Sequence, residues 1–181
     1  MLAGSSPRGR TFAGSCSESI FTLQNNKPDL QAFYVYVKNR VVDNGRRPEE
    51  CVILPAVDVV LGETEALARE KAEAINAFAS PTLGLAELSN VVGVDLSSYP
   101  PDTPVAELDL GQIYQGVVDS IQQGSTTDQL TLREAGDAWA RNQMTPQLVG
   151  TPQKVADQLH DLFESECCDG FMLCPSLSPG G

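Results

Sequence analysis

The segment Gly4-Ser5-Ser6 carries the residues best suited to binding a ligand. Gly4 lets a ligand approach the backbone closely, and Ser5 and Ser6 supply hydroxyl donors. The turn-prone residues that follow are typical of the start of a helix, whose free N–H groups attract anions. The segment therefore predicts an anion site held mainly by neutral donors, and the alternative is an ordinary turn that caps a helix. Arg8 and Arg10 could add positive charge there, or they could simply be solvated.

The five cysteines do not form the pattern of a disulfide framework or a zinc site. Their number is odd, and Cys167 and Cys168 are adjacent. The spacing of Cys51, Cys167, Cys168 and Cys174 matches no zinc motif, and the chain has one histidine, His160. We expect free, buried or half-buried thiols, no metal, and a cytoplasmic location.

Three further residues could do chemistry, but each has a simpler interpretation. His160 lies on a predicted helix whose apolar stripe is formed by its neighbours, which predicts a solvated position. Asp58 lies in an apolar strand, so it is either a paired, buried carboxylate or lies at the solvated end of the strand. Because no partner is visible in the sequence, we assign it no catalytic role. Trp139, the only tryptophan, is expected to pack in a core, and a place in a substrate wall is the alternative.

The composition excludes several classes of protein. The chain has 181 residues, of which 41% are hydrophobic and 20% charged, as in an ordinary globular protein. Its net charge of −12 repels phosphate backbones and anionic lipid headgroups, so we expect no nucleic-acid or membrane partner. No apolar run reaches the roughly 18 residues that a membrane span requires.

Short apolar strands alternate with helical patterns, which is typical of an α/β protein with a parallel sheet. The predicted strands lie near residues 1–3, 20–23, 51–61 and 170–174. A first helix is predicted to begin at an Asp29 N-cap and to end at Asn44-Gly45, with its apolar face formed by Leu30, Phe33, Tyr34, Val37 and Val41.

Two more helices are predicted after the long apolar strand. The first covers residues 63–78, with Leu67, Ala74, Ile75 and Phe78 as its apolar stripe. The other follows an N-cap at Thr151 and a proline at the first helical position, with Val155, Leu159, Leu162 and Phe163 on its apolar face. Between them, residues 80–148 are rich in glycine and proline, and we interpret them as a long insertion with helical pieces at 105–122 and 131–142.

Five segments that span nearly the whole chain form a recognisable set. They are Ala3-Gly4-Ser5-Ser6-Pro7-Arg8-Gly9-Arg10 with Ile20-Phe21-Thr22, Gly62-Glu63-Thr64-Glu65-Ala66, Gly93-Val94-Asp95-Leu96-Ser97-Ser98-Tyr99, Val149-Gly150-Thr151-Pro152-Gln153-Lys154-Val155-Ala156, and Asp169-Gly170-Phe171. In this order they resemble the bacterial-luciferase-like flavin monooxygenases, and more narrowly the branch of nitrilotriacetate, EDTA and dibenzothiophene-sulfone monooxygenases.

The resemblance implies a (β/α)₈ barrel that binds FMN at the carboxyl ends of its strands. It implies that an NAD(P)H-dependent flavin reductase supplies reduced FMN, which with O₂ oxygenates a small organic substrate of the sulfone or aminopolycarboxylate type. In the family a serine of the first segment contacts the FMN phosphate, and Ser6 aligns best, with Ser5 and Gly4 adjacent. In the family most contacts to the flavin ring, and the His and Tyr positions near its reactive face, lie on the first half of the barrel, so the catalytic residues are unknown from this sequence.

Such a barrel takes roughly 250 residues, so we expect this chain to hold only its C-terminal half. The expected parts are βα units at 1–79, the insertion at 80–148 and the last βα region at 149–181. We expect no monooxygenase turnover from this chain alone, and assembly with a missing N-terminal half or with further copies of itself. The alternative function is a non-catalytic remnant that binds flavin or assembles with a complete subunit.

Overall fold

A computed structural model describes residues 1–3, 7–24, 26–108, 130–141 and 145–176. The chain divides into two compact units, one formed by Met1–Ala72 with Thr145–Gly181 and the other by Glu73–Met144. The described strands are β1 (Leu2–Ala3), β2 (Ser19–Thr22), β3 (Val52–Leu61), β4 (Gln147–Gly150) and β5 (Met172–Leu173). The described α-helices are α1 (Pro7–Cys16), α2 (Lys27–Asp43), α3 (Glu65–Asn76), α4 (Pro81–Val92), α5 (Leu132–Ala140) and α6 (Pro152–Glu164).

All five described strands belong to one parallel sheet in the first unit. Its order is β1-β2-β3-β4, and β5 also pairs with β3. The long strand β3 has three partners along its length: β2 at residues 52–55, β5 at 56–57 and β4 at 58–61. A strand paired this way is buried on both faces, which explains its nearly unbroken apolar sequence. These strands do not close a barrel.

The helices α1 and α2 cover one face of the sheet. Their shared core contains Phe33, Val37 and Val41 of α2, packed with Ile20 and Ile53 of the strands. Because side chains alternate along a strand, Phe21, Leu54 and Ala56 lie on the opposite face. Fully burying an aliphatic or aromatic side chain of this size contributes about 1.5–3 kcal/mol to stability. The predicted apolar face of α2 is therefore confirmed, with Tyr34 at its half-buried margin.

The predicted cap of α2 is wrong by one turn. The N-cap is Asn26, whose side-chain oxygen accepts a hydrogen bond from the Asp29 backbone N–H at 2.9 Å. Asp29 lies inside the first turn, where its Oδ2 accepts a 2.6 Å hydrogen bond from Asn26 Nδ2. Lys27-Pro28 starts the helix because proline is favourable in the first turn, where its missing N–H is not needed.

The predicted apolar stripes of α3 and α6 are partly wrong. On α3 the buried residues are Ala68 and Ala72, whereas Leu67 is 48% exposed and Phe78 lies beyond the helix end with 86% exposed. On α6 Val155 is buried, but Phe163 is half exposed. The small Ala68 allows the start of α3 to lie close to Gly62. A pattern based on large apolar residues does not detect a helix face made of alanines. The Thr151 cap of α6 is confirmed, since its hydroxyl accepts from Lys154 N–H.

Strand β4 was not predicted, because Gln147-Leu148-Val149-Gly150 is short and begins with a polar residue. The family resemblance placed Val149 and Gly150 on the approach to the eighth strand of the barrel, and no strand was predicted at these residues. The structure pairs all four residues with the second half of β3.

The second unit has its own small core. Leu88 and Val92 of α4 pack with Leu132 and Ala135 of α5, and Trp139 packs partly buried against them. The predicted core position of Trp139 is thus confirmed. The helices touch at Gly84, where an added Cβ would lie 2.0 Å from the Gly136 carbonyl oxygen.

Within this unit α5 begins where it was predicted, with a capping box between Thr131 and Glu134. Of the helix predicted at 105–122, residues Val105–Glu107 form a short 3₁₀ turn. Most of its remainder lies outside the described residues.

Candidate functional site at the carboxyl end of the sheet

The carboxyl end of the parallel sheet is the place where barrel and doubly wound α/β folds bind ligands. Thr22 and Asp58 are buried polar side chains of the first unit that lie there. Thr22, 1% exposed, ends β2, and Asp58, 2% exposed, lies on β3 just past its pairing with β2 and β5. The sheet therefore places a carboxylate where parallel strands of this fold present functional groups.

Asp58 joins β3 to two other segments. Its Oδ2 accepts a 2.9 Å hydrogen bond from Gln147 Nε2 and a short one from the Ser176 hydroxyl. Its Oδ1 accepts a 3.2 Å hydrogen bond from the Ser176 backbone N–H, and its own N–H donates to the Pro146 carbonyl at 3.0 Å. We call Asp58, Gln147 and Ser176 the carboxyl-end cluster.

The sequence did not reveal this cluster, because the partners of Asp58 are 89 and 118 positions away. The one available signal was the carboxylate itself, since a buried acid in an apolar strand must find hydrogen-bond donors. Of the two positions that the sequence left open for Asp58, the structure shows the buried, hydrogen-bonded carboxylate.

A second carboxylate, which is half-buried, lies at the opposite, amino end of β3 and β5. Asp169 forms a 2.7 Å ion pair with Lys38, and it accepts hydrogen bonds from the Tyr34 hydroxyl at 3.1 Å and the Ile53 N–H at 2.7 Å. Burial, together with the Asp169 carboxylate, raises the pKa of Tyr34 to about 12. We call Asp169, Lys38 and Tyr34 the amino-end cluster.

The predicted phosphate segment, Gly4, Ser5 and Ser6, lies outside the described residues. The elements on either side are in place, because β1 ends at Ala3 and α1 begins at Pro7. The first turn of α1 contains no acidic residue.

The two arginines near that segment have different surroundings. Arg10 stacks over the rings of Phe33 and Tyr36 at 5.0 and 5.8 Å, so its guanidinium lies between α1 and α2. Arg8 is exposed and borders an open surface groove of about 550 Å³ together with Thr11 and Phe12. Within the described ranges Arg8 forms no ion pair with a carboxylate.

The other candidates have the simple roles that the sequence indicated. His160 is exposed on α6. All five cysteines are described and unpaired, with Cys51, Cys167 and Cys168 buried. Burial raises the pKa of Cys168 to about 11, so its thiol is a poor nucleophile at neutral pH. Among the described residues no group of three or more potential ligands is arranged to hold a metal, and no helix is long and apolar enough to cross a membrane.

Comparison with known families explains this architecture. The profile of the luciferase-like monooxygenases matches residues 1–167. The chain belongs to this family. The predicted fold class, a part of a (β/α)₈ barrel of the luciferase type, is confirmed by the likeness to solved members.

Individual relatives place the chain in the expected branch. It is 37% identical over 184 residues to the dibenzothiophene-sulfone monooxygenase of Rhodococcus erythropolis, covering 99% of this chain and 41% of that protein. It is 34% identical to component A of the nitrilotriacetate monooxygenase of Aminobacter aminovorans, covering 98% of this chain and 40% of that protein. The chain therefore spans about two fifths of the length of the curated relatives it matches.

One solved structure bears on the ligand. A riboflavin lyase, whose structure contains modified FMN and the substrate riboflavin, superposes with a TM-score of 0.78. It is 30% identical, and the match covers 98% of this chain and 38% of that one.

Proposed function

We propose that residues 1–181 are the C-terminal part of an FMN-dependent two-component monooxygenase. The observation that carries this proposal is the match of residues 1–167 to the luciferase-like monooxygenases, together with relatives named for sulfone and nitrilotriacetate oxygenation. The presence of FMN in the related riboflavin lyase supports the choice of flavin. The substrate is a small organic molecule of the sulfone or aminopolycarboxylate type, and the protein acts in the cytoplasm.

The phosphate end of FMN is proposed to bind between β1 and α1, at Gly4, Ser5 and Ser6. The described surroundings fit a phosphate, because the first turn of α1 has no carboxylate and its free N–H groups favour an anion. Neutral hydroxyl and amide donors would hold the phosphate in a chain whose net charge is −12. Ser6 is the principal hydroxyl donor in this proposal.

Reduced FMN, delivered by an NAD(P)H-dependent flavin reductase, supplies the reaction with O₂ when it is bound. The residues of this chain hold its phosphate, form one wall of the barrel mouth and contribute the polar groups at the carboxyl end of the sheet. Oxygen transfer requires that water be kept from the reacting flavin, which calls for walls on both sides. Because the described strands form an open sheet, we expect uncoupled peroxide release rather than coupled turnover from this chain alone.

The phosphate assignment is tested with Ser6→Ala and two ligands that differ by the phosphate. Loss of one hydrogen bond to a charged group weakens FMN binding by about 1.5–3 kcal/mol. Riboflavin binding should hardly change, and Ser15→Ala on helix α1 serves as the control for both ligands. The affinities are measured by flavin fluorescence, both for this chain and for a form extended to the length of the relatives. Equal losses for FMN and riboflavin would place the phosphate elsewhere.

The second candidate function is a non-catalytic module that binds flavin or a complete subunit. The open sheet favours it, because parallel edges without neighbours can pair with another chain. Co-expression with a segment corresponding to the first half of the relatives distinguishes the two functions. Substrate oxygenation that exceeds peroxide release supports the enzyme, whereas a stable complex without oxygenation supports the module.

A further inference from the structure

The carboxyl-end cluster contains a carboxylate whose charge no cation neutralises. Within the described residues no Lys or Arg forms an ion pair with Asp58, although Asp58 is 2% exposed. The segments outside the description contain neither Lys nor Arg, so they supply no cationic side chain. The negative charge of Asp58 is held only by neutral donors.

Those donors fix the hydrogen-bonding character of Ser176. A carboxylate only accepts hydrogen bonds, so both the hydroxyl and the backbone N–H of Ser176 donate hydrogen bonds to Asp58. The Ser176 oxygen keeps its lone pairs, and this residue is exposed. Ser176 therefore offers an acceptor, with a negative charge directly behind it.

We propose that Asp58 is a positioning residue that fixes Ser176 as an acceptor for an uncharged N–H or O–H donor, and that this edge disfavours anions. The assignment rests on the proposed function, because it treats the carboxyl end of the sheet as part of the ligand site. The donor comes from the flavin, through its ribityl hydroxyls or ring N–H, or from the substrate. This edge therefore differs in charge preference from the β1–α1 segment proposed to bind the phosphate, because it disfavours anions. Anionic groups of the substrate are recognised by other residues.

The charge of this edge can be measured without any flavin. Ser176→Cys introduces a thiol that reacts with neutral iodoacetamide and with anionic iodoacetate. The ratio of the two rates reports how strongly the position rejects an anion, because the ionisation of the thiol affects both reactions equally. Exposed Cys16 on α1 is the internal control in the same chain, with each site quantified by peptide mass spectrometry.

We expect the iodoacetamide-to-iodoacetate ratio at position 176 to exceed that at Cys16 by about fivefold, as a unit charge about 4 Å away in water predicts. Adding Asp58→Asn should bring the ratio to the value at Cys16. Should that double variant not fold, raising the salt concentration in Ser176→Cys alone should lower the ratio in the same direction. Equal ratios at both sites at low salt would overturn the proposal.

The donor preference is tested with riboflavin, which is uncharged and lacks the phosphate. Ser176→Ala should weaken riboflavin binding severalfold if the flavin supplies the donor. If riboflavin binding is unchanged and the KM of the oxygenated substrate rises at constant kcat in a form extended to the length of the relatives, the donor comes from the substrate. No change in either quantity would overturn the donor assignment.

The matched control for this experiment is Ser97→Ala. It removes another serine-to-aspartate hydrogen bond, from Ser97 Oγ to Asp95 Oδ1 at 2.6 Å, outside the sheet. It should leave riboflavin binding unchanged. A wild-type chain that binds neither riboflavin nor FMN would refute the proposed function, and the alkylation ratio would still decide the charge at position 176.

Discussion

The two ends of one sheet hold a carboxylate in opposite ways. At the amino end the half-buried Asp169 is paired with the Lys38 ammonium and also accepts hydrogen bonds from the Tyr34 hydroxyl and a backbone N–H. At the carboxyl end the buried Asp58 accepts hydrogen bonds, within the described residues, only from an amide, a hydroxyl and a backbone N–H. The first charge is neutralised within the fold, whereas the second remains available to act on whatever approaches it.

This difference agrees with the division of labour in barrel folds, where the amino end of the strands maintains stability and the carboxyl end carries function. A neutralised ion pair ties β3 and β5 to α2, which holds the scaffold together. A carboxylate without a cation costs desolvation energy, and functional sites commonly retain such costs. The comparison therefore predicts that substitutions at the two ends affect different properties.

The largest loss in the free energy of unfolding is expected from Lys38→Met. The Lys38 and Asp169 side chains are 11% and 22% exposed, so the substitution leaves Asp169 largely buried without its cation. Breaking such a pair costs about 3–5 kcal/mol. Urea unfolding followed by circular dichroism measures the loss.

Lys154→Met is the matched control for that substitution. Its ion pair with Glu65 is also 2.7 Å long, but the side chains are 45% and 41% exposed. Exposed pairs contribute at most about 1 kcal/mol. Similar losses for the two lysines would show that the amino-end cluster has no special role in stability.

The next prediction compares the change in stability caused by two isosteric substitutions, one at each end of the sheet. Asp169→Asn removes the charge that balances Lys38, and we expect a loss of about 3 kcal/mol. Asp58→Asn removes a charge that no cation balances while it keeps the side-chain shape, so stability should change by no more than about 1 kcal/mol. Urea midpoints of both variants, measured together, give the comparison. A larger loss for Asp58→Asn would make the carboxyl-end cluster a structural element.

The sequence predicted the parts of the fold that depend on local pattern. The strand at 51–61, the apolar face of α2 and the Thr151 cap followed from β-branched runs, helical spacing and capping chemistry. The family resemblance predicted that these strands and helices form part of a (β/α)₈ barrel. Local pattern failed where contact is made by small or polar residues, as with Ala68 and Ala72 of α3 and with strand β4.

The candidate site was less predictable than the fold. Asp58 and Asp169 both form hydrogen bonds with residues more than 80 positions away in the chain, and no local sequence rule can identify such partners. Asp169 was noticed only as part of a family motif, and its pairing with Lys38 arises because α2 packs beside β3. The Gly4-Ser5-Ser6 segment stays a prediction, since it lies outside the described residues.

The smallest effect concerns the pH dependence of the amino-end cluster. The pKa of Tyr34 is raised from 10.0 to about 12 by burial and by the neighbouring Asp169 carboxylate. The folded state binds the Tyr34 hydroxyl proton more tightly than the unfolded state. The protonated Tyr34 therefore contributes fully to the free energy of unfolding below pH 10, and this contribution is lost as the pH rises towards 12. Urea midpoints measured from pH 9 to 11.5 should therefore fall more steeply for the wild type than for Tyr34→Phe. Tyr36→Phe, which removes a hydroxyl bonded to Thr11 instead, should keep the steep fall. If Tyr34→Phe kept it as well, the alkaline loss would come from another group, and the amino-end cluster would owe its stability to the Lys38–Asp169 pair alone.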